Sequence, residues 1–133
     1  LLRELAASYN VTRLPCDRAY FVRTMRQLLD EGLPVEEFPQ TNQNMARACQ
    51  RMYDAVTEGR LRHGGDPVLS AHIMGAAVKE TPFGWRIQKR DSSAHIDAAV
   101  ALAMAMDIAE AETDGPGNVP SFAATGGVWT IGA

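Results

Sequence analysis

The sequence predicts an α/β fold built on a partial sheet of parallel strands with flanking helices. Three observations carry that prediction. Residues 11–38 read as strand, helix, strand with short links, which is the pattern of a βαβ unit and hence of a parallel strand pair. Residues 45–56 repeat apolar side chains at helical spacing. Residues 96–112 form a long alanine- and methionine-rich stretch that can only be a helix of mostly apolar surface.

In order along the chain, Leu1, Leu2, Leu5, Ala6 and Tyr9 follow helical spacing, so residues 1–9 are predicted to be a helix end. Val11 to Cys16 is short, apolar and interrupted by proline, a strand that leads into Asp17. Tyr20, Phe21, Met25, Leu28 and Leu29 make a helical stripe that stops at Gly32, a residue suited to the position just past a helix end. Val35 to Phe38 is the second strand, ended by Pro39. Met45, Cys49, Met52, Tyr53 and Val56 give the next amphipathic helix, closed by Gly59. The run 61–69 is a turn rich in Gly and Pro that opens a helix over 67–76. Residues 76–80 and 85–88 flank Thr81-Pro82-Phe83-Gly84 as a β-hairpin. A polar link, 89–95, precedes the long helix, which is expected to be buried and to lie flat on the sheet. Residues 113–133 turn Gly- and Pro-rich with few charges and no period, and are expected to be a flexible tail following a domain over 1–112.

The chain has 133 residues, one domain's worth, and buries roughly 70% of its unfolded surface if it folds as one. A net charge of −3 excludes a strongly basic nucleic-acid coat but leaves room for a local basic groove. Cys16 and Cys49 sit in apolar contexts without CxxC spacing and read as reduced core residues. No apolar run approaches the ~18 residues of a membrane span, so no membrane partner is expected. There is no GxxxxGK[ST] nucleotide-binding loop. Leu1 opens in mid-pattern and is not a methionine, as expected of a piece of a longer protein.

Two isolated acids draw attention. Asp17 follows a strand at its carboxyl end, where open α/β sheets place their ligands; it is either the N-cap of the helix after it or a metal ligand. Asp97 stands at the mouth of the apolar helix; it is either an N-terminal helix acid favoured by the dipole or a metal ligand. Hard carboxylate oxygens suit Mg²⁺ or Mn²⁺ rather than zinc. His63, His72 and His95 match no zinc spacing. Lys79, Arg86, Lys89 and Arg90 cluster around the hairpin, and form either a solvated face or a rim that contacts phosphates.

These motifs combine into a resemblance. Tyr9-Asn10-Val11 with Asp17, the segment Gly32-Leu33-Pro34-Val35-Glu36-Glu37-Phe38-Pro39-Gln40, the turn Leu61-Arg62-His63-Gly64-Gly65-Asp66-Pro67-Val68-Leu69, and Lys89, Ser92 and Ile96-Asp97-Ala98-Ala99-Val100-Ala101 occur in that order. Over roughly residues 1–111 the chain resembles the C-terminal nuclease domain of the large terminase subunit of tailed bacteriophages, in its ribonuclease H-like variety. Two positions depart from the pattern: Gly75 stands where many relatives carry Asn, and His95 where Arg is common.

The resemblance implies a metal-dependent endonuclease that cuts concatemeric double-stranded DNA with two divalent ions, Mg²⁺ or Mn²⁺, and whose first catalytic acid and N-terminal strands lie upstream of Leu1. Asp17 and Asp97 would be metal ligands and catalytic residues. Lys89, Arg86, Arg90, His63 and Ser92 would contact DNA or its phosphates. The implied partners are the portal and the small terminase subunit, and the implied place is the host cytoplasm at the procapsid. A module that binds DNA or docks to the motor without cutting is the alternative.

Overall fold

A computed structural model describes residues 1–19, 21–113 and 129–131, and the chain divides into two units, 1–40 and 41–133. In the first unit, helix α1 (Leu2–Ser8) and strand β1 (Leu14–Cys16) are followed by helix α2 (Val22–Asp30) and strand β2 (Val35–Glu37). β1 and β2 pair in parallel, with Leu14 opposite Val35 and Cys16 opposite Glu37, as the strand–helix–strand pattern predicts. The connection works because α2 stops sharply. Gly32 takes φ +81°, its N–H bonds the Leu29 carbonyl, and the Leu33 N–H bonds that of Leu28. That pair of bonds closes a helix around a left-handed residue, a conformation glycine adopts without a Cβ penalty. Met25, Leu28 and Val35 form the core of this unit, and Leu2, Leu14, Cys16, Phe21 and Leu33 pack around them. Arg3 adds a two-bond fork to Glu31, 2.6 Å on each arm, and holds that carboxyl below the usual carboxylate range.

The second unit contains helix α3 (Asn42–Thr57), strand β3 (Leu61–His63), helix α4 (Pro67–Met74), the hairpin β4 (Ala76–Thr81) and β5 (Gly84–Lys89), helix α5 (Asp97–Thr113) and strand β6 (Trp129–Ile131). Thr41 caps α3 by accepting the Asn44 N–H at 3.2 Å. The hairpin read from the sequence is there and antiparallel, with Ala76 opposite Lys89; Thr81 and Gly84, read as part of the turn, pair as the last residues of the strands and leave Pro82-Phe83 as the loop. The core is α3 against α5 and β5. Met45, Ala46, Ala48, Cys49, Met52 and Ala55 are buried on α3, Ile87 on β5, and Ala99, Ala103, Met104 and Met106 on α5.

Four features correct the sequence expectations. The described strands form three separate two-stranded ladders, β1–β2, β4–β5 and β3–β6, instead of one continuous sheet. α5 packs against α3 and α4, not flat on a sheet. The physical reason is small side chains on both partners, Ala48 and Ala55 facing a helix with Ala99 and Ala103, which let two helix backbones approach closely. Nor is α5 buried all round: Asp97, Ala101 and Ala105, four residues apart, make an exposed stripe. Leu61–His63, read from the sequence as part of a turn, is a strand because it pairs in parallel with β6 (Leu61 opposite Trp129, His63 opposite Ile131), and β6 itself has no counterpart in the sequence reading. The expectation of a flexible tail otherwise falls on residues outside those described. Among the described residues, no helix is long and apolar enough to cross a membrane.

Neither cysteine is in a disulfide, but their surroundings differ. Cys49 is fully buried and its Sγ accepts the Ile87 N–H at 3.4 Å, whereas Cys16 is half-buried. Burial pushes both thiols up, because the thiolate loses solvation. A disulfide-exchange reagent at neutral pH is therefore expected to modify Cys16 slowly and Cys49 only on unfolding. Labelling followed by peptide mass spectrometry checks the order, and Cys49 reacting first in native protein would contradict the packing described.

Candidate functional site

Each sequence-flagged acid has a definite local setting. Asp17 directly follows β1 and is half-buried. Its Oδ1 accepts the Ala19 N–H at 3.1 Å, so it stabilises its own turn and does not cap α2, which starts at Val22 with Phe21 before it. The N-cap alternative for Asp17 is therefore replaced by a turn that uses one oxygen. Asp97 is the first residue of α5, exposed, at the positive end of the helix dipole. No ion pair or hydrogen bond among the described residues engages its carboxylate. Asp17 belongs to the first unit and Asp97 to the second.

Asp107 behaves oppositely, and the sequence reading passed over it. It is the one buried charged side chain among the described core residues, 3% exposed on the inner face of α5. Arg47 of α3 grips it with two bonds, Nε to Oδ1 at 2.8 Å and Nη2 to Oδ2 at 2.7 Å. Arg51, one turn on, donates to the Asp107 backbone oxygen at 2.6 Å and lies 3.3 Å from Oδ1. Asp107 in turn holds the Arg47 guanidinium more firmly protonated. Two oxygens already saturated by arginines are poorly available to a metal ion. The signal was partial: arginines at i and i+4 on the amphipathic helix α3, and a single acid in the middle of the apolar α5.

The basic candidates do not form one patch. Strand alternation turns Arg86 and Lys89 of β5 to opposite faces. Arg86 donates to Asn42 at 3.2 Å. Lys89 is exposed, and so is Arg90, which lies 3.8 Å from Asp91. Ser92 is exposed in the link to α5, beside Ser93, which bonds Asp91 through both its N–H and its hydroxyl. His63 ends β3, and its Nδ1 accepts the N–H of Gly65, a residue at φ +78°. His63 thus orders the Gly-Gly turn that leads to Asp66, whose carboxylate caps α4 at Leu69 N.

Residues 5–113 match the model of the terminase large subunit, endonuclease domain. The chain belongs to that family. This terminase endonuclease domain is 29% identical over 126 residues to the large subunit of the terminase of Enterobacteria phage HK97, a match covering 91% of this chain and 25% of that protein. It is also 42% identical over 60 residues to the Gene 13 protein of Mycobacterium phage D29, covering 43% of this chain and 10% of that protein. Its fold is similar to the crystal structure of the HK97 bacteriophage large terminase, with a TM-score of 0.71 and 26% identity over 80% of this chain and 23% of that one. The terminase domain spans about a quarter of the length of the HK97 protein, 25%.

Proposed function

We propose that this chain forms part of a divalent-metal-dependent endonuclease, of ribonuclease H-like arrangement, that hydrolyses phosphodiester bonds of concatemeric double-stranded DNA during viral genome packaging. Membership of the terminase endonuclease family supports a role in phage DNA packaging. The observation that carries the chemistry is the contrast among the acids. Asp107 is buried and neutralised by two arginines, while Asp17 and Asp97 sit at element ends with carboxylate oxygens that no cation among the described residues holds.

Asp17 and Asp97 fit Mg²⁺ or Mn²⁺ by the hardness of their oxygens. The further acid of the ligand set in this proposal is the first catalytic acid that the family resemblance implies; among the described residues there is no group of three metal-binding side chains. Two bound ions would lower the pKa of the attacking water and neutralise charge building on the phosphoryl oxygens. The protein's part is to orient. The Ala19 N–H fixes one oxygen of Asp17 and leaves Oδ2 for a ligand. Helix α5 presents Asp97 on an exposed stripe. Lys89, Arg86, Arg90, Ser92 and His63 are the proposed contacts to DNA or its phosphates, Arg86 from the opposite face of β5 to Lys89. Portal and small terminase subunit are the proposed partners, at the procapsid in the host cytoplasm.

Plasmid nicking by the full-length protein tests this proposal. Cutting is expected with Mg²⁺ or Mn²⁺, to stop with chelator, and to fall by roughly a hundredfold or more in Asp17→Ala. Residues 1–133 alone are expected to be weak or inactive. Undiminished cutting by Asp17→Ala, or cutting in the presence of excess chelator, would overturn it; DNA binding without cutting would favour the docking module.

A further inference from the structure

We propose that His72 is a positioning residue for Asp97. The proposal rests on the reading of Asp97 as a metal-binding acid. A helix start needs acceptors for its first free N–H groups, and Ser, Thr, Asp or Asn just before the helix normally supplies one. α5 lacks such a residue. Ile96 occupies that place, its carbonyl accepting the Val100 N–H at 2.9 Å, and its side chain is apolar and buried. The nearest upstream acid, Asp91, already accepts from the N–H and the hydroxyl of Ser93.

The missing acceptor comes from a different helix. His72, in the last turn of α4, accepts the Ala98 N–H through Nδ1 at 2.9 Å. An imidazole that accepts through Nδ1 carries its proton on Nε2, so a cap of this kind demands one tautomer. Ala98 is the residue next to Asp97, and the bond therefore fixes the turn from which the Asp97 carboxylate projects. His72 lines an open cleft with Pro67, Ala71, Gly75, Arg90 and His95, and the His72 and His95 rings are 6.2 Å apart.

Gly75 makes the approach possible. A Cβ there would meet the His95 carbonyl oxygen at 3.1 Å and the Ala71 oxygen at 3.3 Å, both backbone atoms with little room to give. Its own carbonyl accepts the Arg90 N–H at 2.9 Å, which ties the end of the hairpin to the end of α4. With no side chain at Gly75, the backbone entering α5 closes to within reach of His72.

Two variants of the full-length protein separate a positioning role from simple packing. His72→Leu keeps bulk and removes the acceptor; His72→Asn restores an acceptor at the same branch of the side chain. Exchange of the Ala98 amide is expected to speed up about fivefold or more in His72→Leu, as for loss of a cap. Mn²⁺ binding without DNA, read by paramagnetic resonance, should weaken roughly tenfold in His72→Leu and return to within about threefold of wild type in His72→Asn. Wild-type Mn²⁺ affinity in His72→Leu overturns the proposal, and so does an Asn variant that protects Ala98 without recovering affinity. If His72→Leu fails to fold, His72→Asn decides alone: wild-type Ala98 protection with wild-type affinity supports the role, and loss of either refutes it. Asp97→Ala run in parallel distinguishes the two levels. Unchanged Mn²⁺ binding in that variant means the metal-ligand reading itself has failed, whatever the Ala98 amide reports.

Discussion

Asp97→Ala is expected to lower DNA cutting by the full-length protein roughly a thousandfold or more while leaving the fold intact. A metal-binding carboxylate contributes several kcal/mol to stabilising charge in the transition state, and each ~1.4 kcal/mol is a factor of ten in rate. The structural cost of the change is small for two opposing reasons. An exposed acid in the first turn of a helix is worth about 0.3–1 kcal/mol through the dipole. Alanine returns a similar amount, up to ~0.7 kcal/mol, as the better helix former. Asp97 is exposed and no cation among the described residues engages it, so its substitution breaks no described ion pair. The decisive pair of measurements is nicking rate and hydrogen exchange along α5. An active Asp97→Ala protein would end the nuclease assignment for this residue, and an inactive protein with a melted α5 would show that Asp97 serves the helix instead.

Asp107→Ala should behave in the reverse manner, damaging stability with no direct part in chemistry. The carboxylate is 3% exposed, and its removal takes the two-bond fork from Arg47 at the α3–α5 interface, while Arg51 keeps the backbone oxygen of residue 107 and its approach to Glu110. Breaking a buried ion pair from one side typically costs 3–5 kcal/mol. Arg47 is 47% exposed and Arg51 21%, so both can turn partly to water. That relief lowers the expected cost to about 2–3 kcal/mol. In the full-length protein this appears as a roughly 30- to 150-fold faster exchange of the slowest α3 and α5 amides. Exchange within a factor of three of wild type would mean the pair is replaced by solvent at little cost. The triple change Arg47→Met, Arg51→Met, Asp107→Leu is expected to recover much of the loss, since an apolar replacement leaves no buried charge behind.

Comparison of these two acids shows how far the sequence could be read. Both lie on one apolar helix, and the sequence singled out Asp97 because it stands first, where an acid has an evident electrostatic reason. Asp107 went unnoticed because its partners, Arg47 and Arg51, come from a different helix, 60 and 56 positions earlier in the chain. Helix ends, by contrast, were legible. Gly32 and Gly59, at φ +81° and +70°, close α2 and α3 where a left-handed residue is required. The hairpin was legible for the same local reason, its turn residues standing between two short apolar runs. β6 was not: three residues are too few to show a period, and the strand is defined only by its pairing with β3, far away in the chain.

The sequence by itself determined the order and extent of the helices, the parallel β1–β2 pair, the hairpin, and the family to which the residues in those elements point. Such features follow from spacing, capping and turn chemistry, forces that act within a few residues. Only the tertiary structure decided that α5 lies on α3 and α4, that Asp107 is buried beneath two arginines, that Asp17 holds its own turn, and that His72 caps the helix bearing Asp97. Each of these depends on a polar or small side chain meeting a partner from a different element. Periodicity records which face of an element is apolar but carries no information about which other element will cover it.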